Sequence, residues 1–346
     1  MYNRNILFLS FLIVLTSPAF AQKQKDINAG GRTAPRPLYR DPVYDGAADP
    51  VLVWNGHEKK WFMLYTNRRA TAAGTRGVEW VHGTRIGIAR SDDQGLTWKY
   101  LGTAGIPYGD STYTHWAPEV IYHHRVYHMY LTIVPGIFPD WNAPRHIVHL
   151  TSTNLINWKY ESVLQLASDK VIDACVIRLP DKTWRLWYKN ERDRSRLYHA
   201  DSRDLYQWTD KGVAIGGHPS EGPVVFRWKK KYWLICDVWD GLRVYASCDL
   251  VNWTAQEEKL LNQPGILPTD KAKGQHADVV VNGKRAFLFY FVHQQGEDAA
   301  KTDPEYGKRT VIHVAELKIN NNVLVCDRNK PTELLLLPGY NKKGVR

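Results

Sequence analysis

The chain has 346 residues, a formal charge of +11, and many large aromatics, with 14 Trp and 19 Tyr against only three Met. Trp and Tyr favour strands and supply flat faces for packing or for sugars, so the composition reads as globular and β-rich. No Lys/Arg block or aromatic–basic motif argues for a nucleic-acid partner. No apolar run approaches the roughly 20 residues of a membrane span. The basic balance suits an anionic glycan or an ordinary exported surface, because net charge speaks to association and not to fold.

The first element is a leader. Arg4 supplies a positive start, Ile6 to Leu15 is an apolar stretch broken by Ser10, and Ala19-Phe20-Ala21 has the small-x-small form of a cleavage site. Residues 1–21 are therefore expected to be removed, leaving an exported chain, periplasmic or extracellular. Residues 22–44 form an N-terminal segment, and 45–346 form the folded domain. Oxidation is open to the four cysteines of an exported chain. Asp240-Gly241 reads as a hairpin turn. Pairing about that turn sets Cys236 opposite Tyr245 and leaves it out of register with Cys248, so buried free thiols are expected rather than a disulfide.

From residue 45 to about 320 one pattern recurs five times. Each unit opens with an apolar strand: Asp49-Pro-Val-Leu-Val, Ala117-Pro-Glu-Val-Ile, Asp173-Ala-Cys-Val-Ile, Glu221-Gly-Pro-Val-Val and His276-Ala-Asp-Val-Val. Aromatic-rich second strands follow, from Trp61-Phe-Met-Leu-Tyr to Ala286-Phe-Leu-Phe-Tyr, and then a third strand. Four units close on related turns: Ser91-Asp-Asp-Gln-Gly-Leu-Thr-Trp98, Ser152-Thr-Asn-Leu-Ile-Asn-Trp158, Ser202-Arg-Asp-Leu-Tyr-Gln-Trp208 and Cys248-Asp-Leu-Val-Asn-Trp253. Asp or Asn there caps its own backbone, and each Trp is expected to start a fourth strand and plug the gap to the neighbouring unit. Four short strands per unit at this repeat length predict an all-β, five-bladed β-propeller with four antiparallel strands per blade. Ring closure falls to a strand near Pro37–Tyr44 or to Val323–Leu337.

The innermost strand of each blade lines the channel. Aligned on their apolar runs, the opening strands lead with Asp49, Ala117 (after Trp116), Asp173, Glu221 and His276. A packed core puts apolar residues there, since uncompensated buried charge is costly. Convergence of acids on one axis suits glycosidic bond cleavage, which needs one protonated and one ionised carboxyl. Asp45 and Asp41 are rival acids in the first blade; Asp49 is preferred because Val51-Leu52-Val53 follows it.

Ala48-Asp49-Pro50, Trp116-Ala117-Pro118-Glu119-Val120, Ile172-Asp173 and Ser220-Glu221-Gly222-Pro223, one per blade in this order, resemble glycoside hydrolase family 43 and its arabinanase-like clan. The resemblance implies Asp49 as general base, Glu221 as general acid, and Asp173 as the residue that raises the acid's pKa. It also implies inversion, with base and acid roughly 6.5–9.5 Å apart. It makes His276 the channel histidine that faces a central ion or water. No cofactor is required on this reading, and a structural calcium at His276 is the one metal considered, although calcium prefers oxygen ligands.

Mouth loops are expected to hold the sugar. The candidates are Trp80, His115, Trp116, Trp141, Trp239, Arg243, His276 and His293. The expected substrate is a polysaccharide or oligosaccharide with arabinose-, xylose- or galactose-type linkages, cleaved in exo or debranching fashion. The alternatives are a clan relative acting on another sugar (an anhydrogalactosidase or a mannoside phosphorylase) and a non-catalytic carbohydrate-binding propeller. A sialidase is disfavoured because five units, not six, are counted.

Overall fold

The computed structural model describes residues 31–72, 75 and 77–339; the expected leader lies outside them. Five antiparallel sheets follow one another along the chain. The inner strands are Ala47–Asn55, Thr114–His123, Val171–Arg178, Glu221–Trp228 and Gln275–Asn282. Four of the sheets run inner to outer in sequence order. The fold is the expected five-bladed propeller. Among the described residues no helix is long and apolar enough to cross a membrane.

Both candidate segments close the ring. Thr310–Asn320 is the third strand of blade 5, and its first part pairs with Tyr39–Arg40 through Tyr39↔Ile312. Its far part pairs with Val323–Cys326 through Leu317↔Cys326. One long strand thus takes the N-terminal segment at one end and a C-terminal hairpin at the other. Arg32–Thr33 and Glu333–Leu334 then pair outside the ring and tie the two terminal segments together.

The core is divided into five seams between blades. Ile88, Val120, Met129 and Trp158 fill the seam of blades 1 and 2, while Val176, Leu186 and Leu205 help fill that of blades 2 and 3. The closing tryptophans sit where the turn motif predicts. Trp98, Trp158, Trp208 and Trp253 each pack into the seam with the preceding blade. Their turns are held by short-range bonds: Ser91 Oγ donates to Asp93, and Asp93 accepts from the amide and hydroxyl of Thr97. The turn at Ser202 repeats the scheme, with Asp204 accepting from the amides of Tyr206 and Gln207. Blade 5 lacks the motif, since its outer strand comes from the N-terminal segment.

Two expectations need correction. All four cysteines are free, but only Cys175 and Cys236 are buried; Cys326 is half-buried and Cys248 is exposed. The blade 4 hairpin turns one residue earlier than the Asp240-Gly241 turn predicts. Val238 N donates to Gly241 O, Trp239 takes the left-handed conformation at φ 56°, and Cys236 faces Arg243 instead of Tyr245. The register is thus shifted by two residues, because a Trp occupies the left-handed position that turn chemistry usually gives to Gly, Asn or Asp.

A stacked array in blade 2 has a consequence for stability. The rings of Tyr130 and His149 are parallel at 5.0 Å, and His128 stacks on His149 at 5.2 Å. Burial lowers the pKa of His128 to about 4 and that of His149 to about 3. Both are neutral when folded, whereas the unfolded chain protonates them near 6.5. The unfolded state therefore binds more protons than the native state between about pH 6.5 and these values, and stability falls as pH drops through that window. Thermal melting is expected to lose several degrees between pH 7 and 4.5, with a shallower loss in His149→Phe. Equal pH slopes for the two proteins would remove this array as the cause.

Candidate active site

The inner strands share a local irregularity that builds the site. Pairing with the second strand slips by a bulge at the same place in all five blades: Ala48/Val51, Trp116/Glu119, Ile172/Cys175, Glu221/Val224 and Gln275/Asp278. The first skipped residue is left-handed in four of them: Asp49 (φ 47°), Ala117 (φ 42°), Asp173 (φ 61°) and Gly222 (φ 53°). A bulge re-aims a side chain and leaves an amide without a ladder partner. That is why Pro50, Pro118 and Pro223, which have no N–H, fit the second skipped position, with Ala174 and Ala277 in the other blades.

This geometry corrects the alignment of blade 4. Gly222, not Glu221, is the equivalent of Asp49, Asp173 and His276, and Glu221 stands one residue earlier. The reason is steric. A Cβ on Gly222 would lie 2.6 Å from Cγ of His276, so the imidazole occupies the space a side chain would need.

The bulges bring Asp49, Asp173, Glu221 and His276 into one well. His276 Nδ1 lies 3.3 Å from Asp49 Oδ1. Asp173 Oδ2 accepts the Gly222 amide at 2.9 Å, directly beside Glu221. Glu221 is held at both oxygens, by Trp239 Nε1 at 2.9 Å and by Lys189 Nζ at 2.8 Å. Lys189 also pairs with Glu191 at 2.9 Å and lies 5.0 Å from the centre of the Trp239 ring.

The protonation biases differ across the well. Burial alone favours the neutral form of Asp49, but His276, with help from Thr66 and Arg68, offsets it and holds the carboxyl below the usual range. Burial works against a charged His276, yet the carboxylates of Asp49, Asp173 and Glu221 push its pKa up to about 10. Asp173 is raised to about 7, first by burial and then by Glu221 and Asp49, against His276 and Lys189. Asp237 is also raised to about 7, by burial and by the charge of Glu221. The well thus contains an ionised carboxylate, an imidazolium, and a buried group of carboxyls that retains protons at neutral pH. Glu221 stands beside these carboxyls, with 23% of its side chain exposed.

Several of these groups escape sequence reasoning. Asp237 is buried at the end of the second strand of blade 4. It accepts from the Trp239 amide at 2.7 Å and the His276 amide at 3.1 Å. Lys189 is the last residue but one of the corresponding strand of blade 3, and Thr66 and Thr132 occupy the same ladder position in blades 1 and 2, accepting the amides of Ala117 and Asp173. The available signal was a Lys or Asp at or near the end of an otherwise apolar strand. Arg68 follows the second strand of blade 1. Below the mouth, Glu119 and Asp278 brace the ring by accepting the amides of Val176 and Leu52.

The mouth candidates divide. Trp239 touches Glu221. Trp116 and Trp141 lie 6.0 Å apart on the blade 2 side, with Arg145 over Trp116 at 5.4 Å. Trp80 is buried and forms a wall under Arg68, whose guanidinium lies 4.7 Å from its ring centre. His293 Nδ1 donates to Gly307 O, leaving Nε2 to accept from Arg68 at 3.2 Å. His115 is not at the mouth: it is buried near Arg85, where burial lowers its pKa to about 3. Arg243 pairs across the ladder with Cys236, and its charge acts on the buried Cys236 thiol and on Tyr245. The rival acids are committed elsewhere: Asp45 to Arg40 and Arg309, and Asp41 to the Tyr65 hydroxyl.

The surroundings of His276 do not fit a directly bound calcium. Its ring carries the positive charge that Asp49 requires, and calcium takes six to eight oxygen ligands. Among the described residues no group of three or more His, Cys, Asp or Glu is arranged to hold a metal ion.

No family model matches the chain, and no curated protein matches it. Solved structures do. A thermostable family-43 glycoside hydrolase shares 18% identity over 88% of this chain and 99% of its own, with a TM-score of 0.64. A family-43 β-1,3-galactosidase solved with galactodeoxynojirimycin shares 14% over 86% and 97%, at 0.60. A family-32 β-fructofuranosidase from Bombyx mori shares 15% over 90% of this chain and 68% of its own, at 0.62. At these identities the likeness establishes the architecture: the chain has the five-bladed propeller fold found in these hydrolases.

Proposed function

We propose that the protein is an exported glycoside hydrolase that cleaves arabinose-, xylose- or galactose-type linkages with inversion, in exo or debranching fashion. The observation that carries this reading is the opposed protonation of carboxyls across one tryptophan-lined well. Asp49, kept ionised by His276, activates water. Glu221, beside the proton-holding Asp173 and Asp237, protonates the leaving oxygen. Lys189 bonds one oxygen of Glu221, so proton delivery requires that contact to loosen when substrate arrives. The family-43 neighbours solved as a β-1,3-galactosidase and as a β-xylosidase/α-arabinofuranosidase support the choice of sugars. His276 supplies a central positive charge, so turnover is expected to need no added cation.

The test is a panel of aryl glycosides and plant polysaccharides, with product chromatography and NMR of the first-formed anomer. Turnover with inverted product, unchanged in chelator, is expected. Dependence on added phosphate would assign a phosphorylase instead. Calorimetric binding with no product from any substrate would make the protein a carbohydrate-binding propeller.

A further inference from the structure

The cations around the well are nearly all neutralised by neighbours. Lys189 has Glu221 and Glu191, Arg145 has Glu191 and two carbonyls, and Arg40 and Arg309 share Asp45. Arg69 and Arg85 donate to backbone carbonyls. Arg68 is different. Among the described residues its guanidinium bonds only the neutral ring of His293 and has no carboxylate at ion-pairing distance. It is nevertheless set firmly. The Arg68 amide donates to Gly46 O at 2.9 Å, and a Cβ on Gly46 would lie 1.9 Å from Arg68 O, so the glycine lets the two backbones meet. Trp80 lies beneath the guanidinium; Lys308, whose Nζ is 5.6 Å from the same ring, is already paired with Glu305. The charge of Arg68 also acts on Asp49. A cation held out of bulk water without a counter-ion is unfavourable unless a ligand supplies one, and a guanidinium fork matches the planar geometry of a carboxylate or the oxygens of a sulfate.

We infer that Arg68 receives an anionic substituent on the sugar bound beside Asp49, so the preferred substrate is an acidic glycan carrying a uronate or a sulfate ester. This rests on the hydrolase reading and narrows its substrate class. The His293 tautomer serves the same arrangement: its Nδ1–H is spent on Gly307 O, so Nε2 orients Arg68 by accepting from it.

The experiment pairs neutral aryl glycosides with their uronide and 6-sulfate counterparts and measures kcat/KM, alongside calorimetry with glucuronate, galacturonate, a sulfated monosaccharide and glucose. The acidic member is expected to be favoured at least tenfold, with KM rising with salt for that member alone. Arg68→Met should abolish the preference, and Arg68→Lys should keep part of it. The uronate and sulfate arms tell which anion is read. Equal rates within each pair, or a preference that survives Arg68→Met, would overturn the inference while leaving the hydrolase reading intact. Binding of acidic sugars without turnover would do the reverse. Should Arg68→Met not fold, the wild-type pairwise rates and their salt dependence decide.

Discussion

Asp49→Asn is expected to lower kcat by about 10²–10⁴-fold on every substrate, because the variant loses the only well carboxyl held below its usual range. Glu221→Gln should show a loss of similar size on polysaccharide and a much smaller one on aryl glycosides whose phenolate departs without protonation. The contrast separates base from acid, and full activity in both variants would sink the assignment. The pH dependence follows from the same groups. Asp173 and Asp237 hold protons up to about pH 7. Their folded values lie above the unfolded ones, so the protonated arrangement is complete at low pH and is lost as pH rises through 7. Both carboxyls adjoin Glu221, so kcat/KM is expected to decline above about pH 7 as they lose their protons. A flat rate between pH 6 and 8.5 would contradict this.

Gly222→Ala is expected to cost about 1–2 kcal/mol from the left-handed backbone alone, and more from the collision. The added Cβ meets the His276 ring at 2.6 Å, and His276 cannot move without leaving Asp49. Denaturant titration should show the lower stability, and activity should fall at least tenfold even at temperatures where the variant is folded. A variant with wild-type midpoint and wild-type rate would mean that the imidazole is not held as described. The experiment also tests the blade alignment, since the collision arises only if Gly222 occupies the bulge beside His276.

The blade count, the closing turns and the tryptophan plugs are decided by the sequence itself. Ser, Asp and Asn cap backbone within a few residues, and strands alternate with turns at a repeat that no helical periodicity matches. Asp49, Asp173 and His276 were legible for the same reason: each precedes an apolar run, and a charge there has no place in a packed core. Only the tertiary structure decided what those groups do together. Which residue of blade 4 occupies the bulge depends on the His276 ring arriving from blade 5. Lys189, Asp237 and Arg68 lie near or just past the ends of strands of three different blades, and their meaning comes from the carboxyls they meet. Ring closure by both terminal segments depends on the length of one strand, Thr310–Asn320. Local turn chemistry acts over a few residues and can be read along the chain. Burial and Coulombic coupling sum over groups distant in sequence, and so exist only once the five blades have closed around the axis.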